Sequence, residues 1–307
     1  MRLAKIGAAV AAVLLVVAGV AYARLTAAEM PPELSEYGLD LRRLRALAAS
    51  LPGEPPARVR SELVATAQMP RGAMFAGESL LEPQPMVHQS FQVVFPDGRF
   101  LVLDAGFDAA LHAAMGRGGE HFQAGFDAVQ SALGRASRIF VTHEHADHLQ
   151  GIARHQPPEA LAGRLALTAE QLANVSRLDA VGMPDVLRAL DPISYEKYRA
   201  VAPGAVLVKA PGHTPGSQLL YVRLGDGREL LFVGDVAWNM RAIRELHYRP
   251  RLITDFYLQE DRRAVLHEFR RLHDLDRWHP EVRIVVSHDP EQRRALLAEG
   301  LLVEGFE

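Results

Sequence analysis

The sequence has no cysteine among its 307 residues. Disulfides, thiolate metal ligands and thiol nucleophiles are therefore excluded together, and any metal site must use nitrogen and oxygen donors. A dominant charge is missing too: 34 Lys and Arg stand against 37 Asp and Glu, for a net charge of −3. That balance leaves no electrostatic footprint for nucleic acid, so no nucleic-acid partner is expected. Lysine is scarce relative to arginine. The chain is long enough to bury a large core, in one big domain or two smaller ones.

Long apolar runs are also missing, with one exception. Arg2 and Lys5 precede an uncharged stretch, residues 6–23, that closes on Ala21-Tyr22-Ala23. A positive start, an apolar middle and a small-x-small end describe an export signal. The stretch is also just long enough to cross a bilayer as an anchor. Cleavage and retention both stay open, and both put the remaining chain outside the cytoplasm, as a periplasmic or otherwise extracytoplasmic protein. Residues 24–59 read as a linker carrying a short amphipathic helix. Leu41, Leu44, Leu47, Ala48 and Leu51 recur at helical spacing before Pro52-Gly53 stops the run. The main domain is expected over residues 60–307.

Within that domain, strands are expected over 87–95 and 99–104, joined by the turn Pro96-Asp97-Gly98. Helical spacing follows over 122–133, then the apolar run Arg138-Ile139-Phe140-Val141. Residues 156–204 are broken by prolines and predict short helices and loops, a region suspected of supplying part of a pocket. A second hairpin, over 219–224 and 229–233, turns at Gly225-Asp226-Gly227. A helix over 259–273 and a strand over 282–287 complete the chain. The two halves share one order: hairpin, helix, strand.

The chemistry concentrates at strand ends. Thr142-His143-Glu144-His145-Ala146-Asp147-His148 places three imidazoles and an aspartate within six positions, directly after an apolar run. Burying such a cluster is costly unless a cation compensates. Further candidates are His213 in Pro211-Gly212-His213-Thr214-Pro215-Gly216, Asp235 in Val233-Gly234-Asp235, and His288 in Ser287-His288-Asp289. One tetrahedral zinc needs only three or four donors. Five histidines and two aspartates suggest two metals sharing a carboxylate.

This set resembles the metallo-β-lactamase superfamily of metal-dependent hydrolases, over roughly residues 60–290. The resemblance implies an α/β fold, specifically a four-layer αββα sandwich with the apolar export or anchor segment ahead of it. It implies that His143, His145 and His213 bind a first metal, that Asp147, His148 and His288 bind a second, and that Asp235 bridges them. Asp104, in Leu103-Asp104-Ala105-Gly106, is expected to support the ligands. The implied cofactors are two divalent ions, zinc above all, with manganese, iron or cobalt also compatible. The implied reaction is hydrolysis of a small ester, lactone or thioester, by a hydroxide held between metals about 3.5–4 Å apart. Asp147 and Asp235 are the expected catalytic carboxylates, with Asp147 passing a proton to the leaving group.

Within the superfamily the chain is most similar to lactonase and glyoxalase II-like members, with one departure. Lactonases carry a tyrosine three residues after the bridging aspartate, and here that residue is Trp238. Trp238, Asn239 and His247 are expected near the substrate. Glu144 and Asp289 are expected to support ligands or face solvent. His88, His112, His121, His155, His267, His273 and His279 are expected to be surface or packing residues. Two other readings stay open: a mononuclear iron oxygenase like the persulfide dioxygenases, and a non-catalytic exported metal-binding protein. The oligomeric state is not legible, and the only membrane contact expected is through the N-terminal segment.

Overall fold

The computed structural model describes residues 2–307. Ten strands form two five-stranded sheets. The first contains β1 (Arg58–Pro70), β2 (Pro83–Val94), β3 (Phe100–Leu103) and β4 (Arg138–Phe140). The second contains β5 (Tyr198–Ala202), β6 (Ala205–Lys209), β7 (Gln218–Arg223), β8 (Glu229–Phe232) and β9 (Val282–Val285). A short β10 (Val303–Glu304) returns to pair parallel with β1. The strand orders are β10-β1-β2-β3-β4 and β5-β6-β7-β8-β9.

Alternation along the strands explains the layering. Leu101 and Leu103 point between the sheets, whereas Val102 points to the helices outside the first sheet. Ala205 and Leu207 likewise face inward, and Val206 and Val208 face the helices outside the second sheet. Both faces of the central strands are covered, so they read as continuous apolar runs. Phe91 and Phe232 meet across the inter-sheet layer with ring centroids 4.7 Å apart. Helices Gln123–Arg135 and Ala146–Arg154 cover the first sheet, and helix Arg262–Trp278 covers the second. The result is the expected αββα sandwich.

One strand differs from the sequence-based expectation, and one helix forms as expected. Strand β1 begins at Arg58 and runs thirteen residues, a strand not anticipated because polar residues such as Arg60, Glu62 and Gln68 interrupt its apolar pattern. The amphipathic helix forms over Leu41–Ala48 and packs Leu41, Leu44 and Ala48 into the core outside the second sheet. Asp40 caps it by accepting from the Arg42 and Arg43 amides. The amphipathic helix within 24–59 is thus packed on the main domain, as its apolar spacing implies. Ahead of it, helix Arg2–Thr26 is apolar enough over Lys5–Thr26 to cross a membrane, and its described apolar side chains stand exposed.

The topology places the site. In each sheet one pair of neighbouring strands is parallel: β3 with β4, and β8 with β9. Parallel neighbours end at the same edge. Asp104 and the 142–148 loop therefore leave the first sheet side by side, and Asp235 and His288 leave the second in the same way.

Candidate metal centre

The loops from the two sheets meet at one end of the sandwich, and seven donors from them fall into two groups that share a residue. His143, His145, His213 and Asp235 form one, and Asp147, His148, Asp235 and His288 form the other. Asp235 faces both groups with separate oxygens. Its Oδ2 lies 3.7 Å from His143 Nε2 and 3.6 Å from His213 Nε2. Its Oδ1 lies 3.3 Å from His148 Nε2 and 2.9 Å from His288 Nε2. Within the groups, His213 Nε2 is 3.0 Å from His145 Nδ1, and Asp147 Oδ2 is 3.7 Å from both His148 Nε2 and His288 Nε2. Donors around a tetrahedral zinc with bonds near 2.05 Å sit about 3.3 Å apart, and these separations bracket that value.

A second observation tests the fit. His143 Nε2, His148 Nε2, His288 Nε2 and Asp235 Oδ1 are buried and carry no hydrogen bond. Orphaned buried donors and acceptors cost free energy, so a cluster of them converging on two points is the arrangement a pair of cations resolves. Titration agrees. Burial, reinforced by neighbouring imidazoles, holds His143 and His145 well below the usual histidine range, in the neutral form that ligates metal. Burial disfavours the charged forms of Asp147 and Asp235, yet the surrounding histidines outweigh it and hold both carboxylates well below their ordinary range. For His148 and His288 burial is likewise outweighed, by nearby aspartates, and both are pushed up.

Several of these donors are held from behind. Asp104 accepts from the Thr142 amide at 2.6 Å, and its Oδ2 is 2.8 Å from His148 Nδ1. It does so at φ 61°, a strained conformation for a residue with a Cβ. His288 Nδ1 lies 2.8 Å from the Val87 carbonyl. His213 Nδ1 is 2.6 Å from Glu260 Oε1, and Arg249 donates to that same oxygen at 2.6 Å. Arg249 also donates to the Asp235 carbonyl, and its guanidinium stacks 4.5 Å over Trp238. Gly234, at φ 51°, lies where an added Cβ would approach Thr142 Cβ to 2.7 Å, so the bend before Asp235 requires glycine.

Several expectations need correction. His88 is not simple packing: it is buried, with Nδ1 3.3 Å from Asp147 Oδ2 and its ring against His288. Burial lowers it to about 4, so it stays neutral beside that carboxylate. Asn239 and His247 do not line the metal cleft. Asn239 caps helix Met240–Glu245 through the Arg241 amide, and His247 sits 2.6 Å from the Ala76 carbonyl against Phe75. Trp238 does line it, but its indole donates to Asp235 Oδ2 at 2.7 Å. Glu144 is not solvent-facing: it is fully buried and accepts from Thr214 and Asn174, tying the first ligand loop to the loop carrying His213. Asp289 caps helix Pro290–Ala298 and accepts from the Met240 amide. From the suspected region 156–204 the cleft takes Arg177, whereas Tyr195 and Tyr198 serve packing through Gln218 and Gly38. Glu260 and Arg249 were missed altogether. Neither belongs to a motif, and only the closure of the chain over His213 brings them to the site.

The cleft above the donors has a volume of about 170 Å³, lined in part by Met86, Met115, Arg117, Arg177, Tyr257 and Leu258. An adjoining groove of about 480 Å³ shares Arg177, Tyr257 and Leu258.

No family model and no curated protein matches the sequence. Solved structures do match. An N-acyl homoserine lactone hydrolase, solved with N-hexanoyl-L-homoserine at its catalytic metal centre, is 14% identical; the match covers 78% of this chain and 96% of that one, with a TM-score of 0.61. A dizinc quorum-quenching lactonase is 15% identical over 76% of this chain and 89% of its own, with a TM-score of 0.54. A hydrolase of the β-lactamase superfamily is 14% identical over 78% and 92%, with a TM-score of 0.54. At these identities the likeness establishes architecture, and the chain has the fold of the metal-dependent hydrolases of the β-lactamase superfamily.

Proposed function

We propose that this chain is a dinuclear metal-dependent hydrolase acting on the carbonyl of a small ester, lactone or thioester. The observation that carries the reading is the pair of four-donor groups sharing Asp235, one oxygen to each. His143, His145 and His213 would hold one cation and Asp147, His148 and His288 the other. The all-nitrogen-and-oxygen donor set suits zinc. Two such cations supply Lewis acidity and a water whose proton is easily lost.

The protein's own part is positioning. Asp235 fixes the spacing of the two groups, and the Trp238 indole and Gly234 fix Asp235. Asp147 reaches the cleft floor and is the carboxylate placed to carry a proton to the leaving group, with neutral His88 behind it. Trp238 can only donate and is already committed to Asp235. It therefore does not take the carbonyl-assisting part that the lactonase tyrosine plays. Likeness to lactonases that bind acyl homoserine products supports a lactone or ester among the substrates.

Metal quantification on the purified chain, followed by a panel of lactones, thioesters, aryl esters and phosphodiesters, tests the reading. About two zincs per chain and turnover of a carbonyl substrate are expected. His145→Ala should lower metal content and abolish that turnover while leaving the fold intact. Unchanged hydrolysis by this variant would remove the site from contention.

A further inference from the structure

Between the N-terminal helix and the metal cleft lies a set of contacts that the hydrolase reading does not use. Helix Arg2–Thr26 ends three residues before Glu29. Glu29 Oε2 accepts from Arg251 at 2.8 Å and from Arg262 at 2.7 Å. Three residues span at most about 10 Å, so those arginines sit close to the end of the apolar helix. Arg262 also donates to the Arg249 carbonyl and to Thr254. Arg249 is the residue that holds Glu260 and stacks on Trp238. The tie-point of the apolar helix is thus two side chains from the metal donors.

Arg251 opens the π-helical segment Leu252–Leu258. This segment turns inward and outward at once. Leu258 is buried and lines the cleft, and Tyr257 lines it from the rim. Phe256 and Tyr257 are 65% and 58% exposed, and Leu252 is 37% exposed. Arg117 stacks 5.5 Å over the Tyr257 ring and makes no carboxylate pair among the described residues. Exposed aromatics beside a guanidinium that meets only the Tyr257 ring and hydroxyl and no carboxylate among the described residues, within one short loop of a membrane-length helix, match the interfacial zone of a bilayer. That polar zone is only about 5–8 Å deep on each side, comparable with the reach from Thr26 to Glu29.

We propose that the uncleaved N-terminal helix holds the catalytic domain with the mouth of its metal cleft against the bilayer, Phe256 and Tyr257 dipping into the headgroup layer. Resting on the hydrolase reading, the substrate class is then a membrane-resident amphiphile. Its ester or lactone head enters the cleft past Tyr257 and Leu258, while its acyl chain remains in the lipid or lies against Met86 and Met115. Flexible methionines accommodate chains of varied shape.

The absence of cysteine makes the test direct, because Phe256→Cys and Trp278→Cys each create one thiol for a fluorescent label. Trp278 is exposed and lies at the far end of helix Arg262–Trp278, about 24 Å from Arg262 along the axis. In the full chain reconstituted in phosphatidylcholine vesicles, a headgroup nitroxide lipid should quench the label at 256 severalfold more than the label at 278. Equal quenching overturns the proposal, as does recovery from cells of a soluble chain beginning after Ala23. A second arm compares a dodecanoyl ester embedded in vesicles with water-soluble phenyl acetate. Phe256→Glu should slow the embedded ester about tenfold and leave phenyl acetate unchanged. No change in either, or equal loss in both, counts against membrane delivery. If the parent chain hydrolyses neither ester, the panel of lactones and thioesters decides the hydrolase reading, and the quenching alone decides the surface.

Discussion

The two sheets make the same delivery twice and use it differently. In the first, the hairpin β2–β3 ends at Asp104 and the parallel neighbour β4 ends at the loop carrying His143, His145, Asp147 and His148. In the second, the hairpin β7–β8 ends near Asp235 and the parallel neighbour β9 ends near His288. Asp104 turns back at φ 61° and spends its carboxylate on Thr142 and His148. Asp235 follows a left-handed glycine and presents both oxygens to the donor groups. Equivalent aspartates therefore become a support in one half and a donor shared between the two groups in the other. What decides between them is the local backbone turn, not the residue type or the strand that carries it.

That contrast can be broken by experiment. Asp235→Asn removes a shared anionic donor and should cost more than about 10³-fold in turnover, with metal content falling at both groups. Glu260→Gln tests the support behind His213. It leaves buried Arg249 without its charge partner and should destabilise the fold by about 3–5 kcal/mol, measured by denaturant unfolding; a loss confined to activity would mean that Glu260 serves only the ligand. Asp104→Asn should lower zinc affinity about 10- to 100-fold, with turnover recovering in excess zinc. If excess zinc fails to rescue Asp104→Asn, the distinction between support and shared donor collapses.

The smallest test concerns the helix layer of the second half. Burial pushes Glu268 up to about 8, while burial lowers nearby Lys197 to about 8. Glu268 binds its proton more tightly folded than unfolded, so its contribution is fully present below its unfolded value and is lost as pH rises towards 8. Lys197 has the opposite sign: between about 8 and its unfolded value the unfolded chain binds more protons, and stability rises with pH. A shallow minimum near pH 8 is expected. Glu268→Gln should raise the melting temperature at pH 8 relative to pH 5 by about 3 °C or more, and identical shifts at both pH values would rule out the titration.

Much of the site was legible because its candidate donors lie in short local patterns. His143 to His148 share one loop, and His213, Asp235 and His288 each follow an apolar run whose end the sequence marks. Strands β2 through β4 and β7 through β9 follow from turn glycines and apolar continuity. Strand β1 did not, because its polar residues obscure the alternation that burial against β2 imposes. His88 looked like packing because nothing in strand β2 distinguishes it. Its position beside Asp147 depends on β2 lying under the 142–148 loop. Asn239 and His247 were expected at the cleft from nearness in sequence to Asp235, but helix Met240–Glu245 carries the chain away from it.

The sequence by itself determined the donor chemistry: cysteine-free nitrogen and oxygen donors at strand ends, and an apolar N-terminal segment. Those are local properties, fixed by residue type and spacing. Only the tertiary structure decided which oxygen of Asp235 faces which group, that Glu260 and Arg249 stand behind His213 and Trp238, and that Glu29 ties the apolar helix to the rim of the cleft. These are contacts between segments far apart in the chain, and a linear pattern does not encode such meetings until packing closes the loops upon one another.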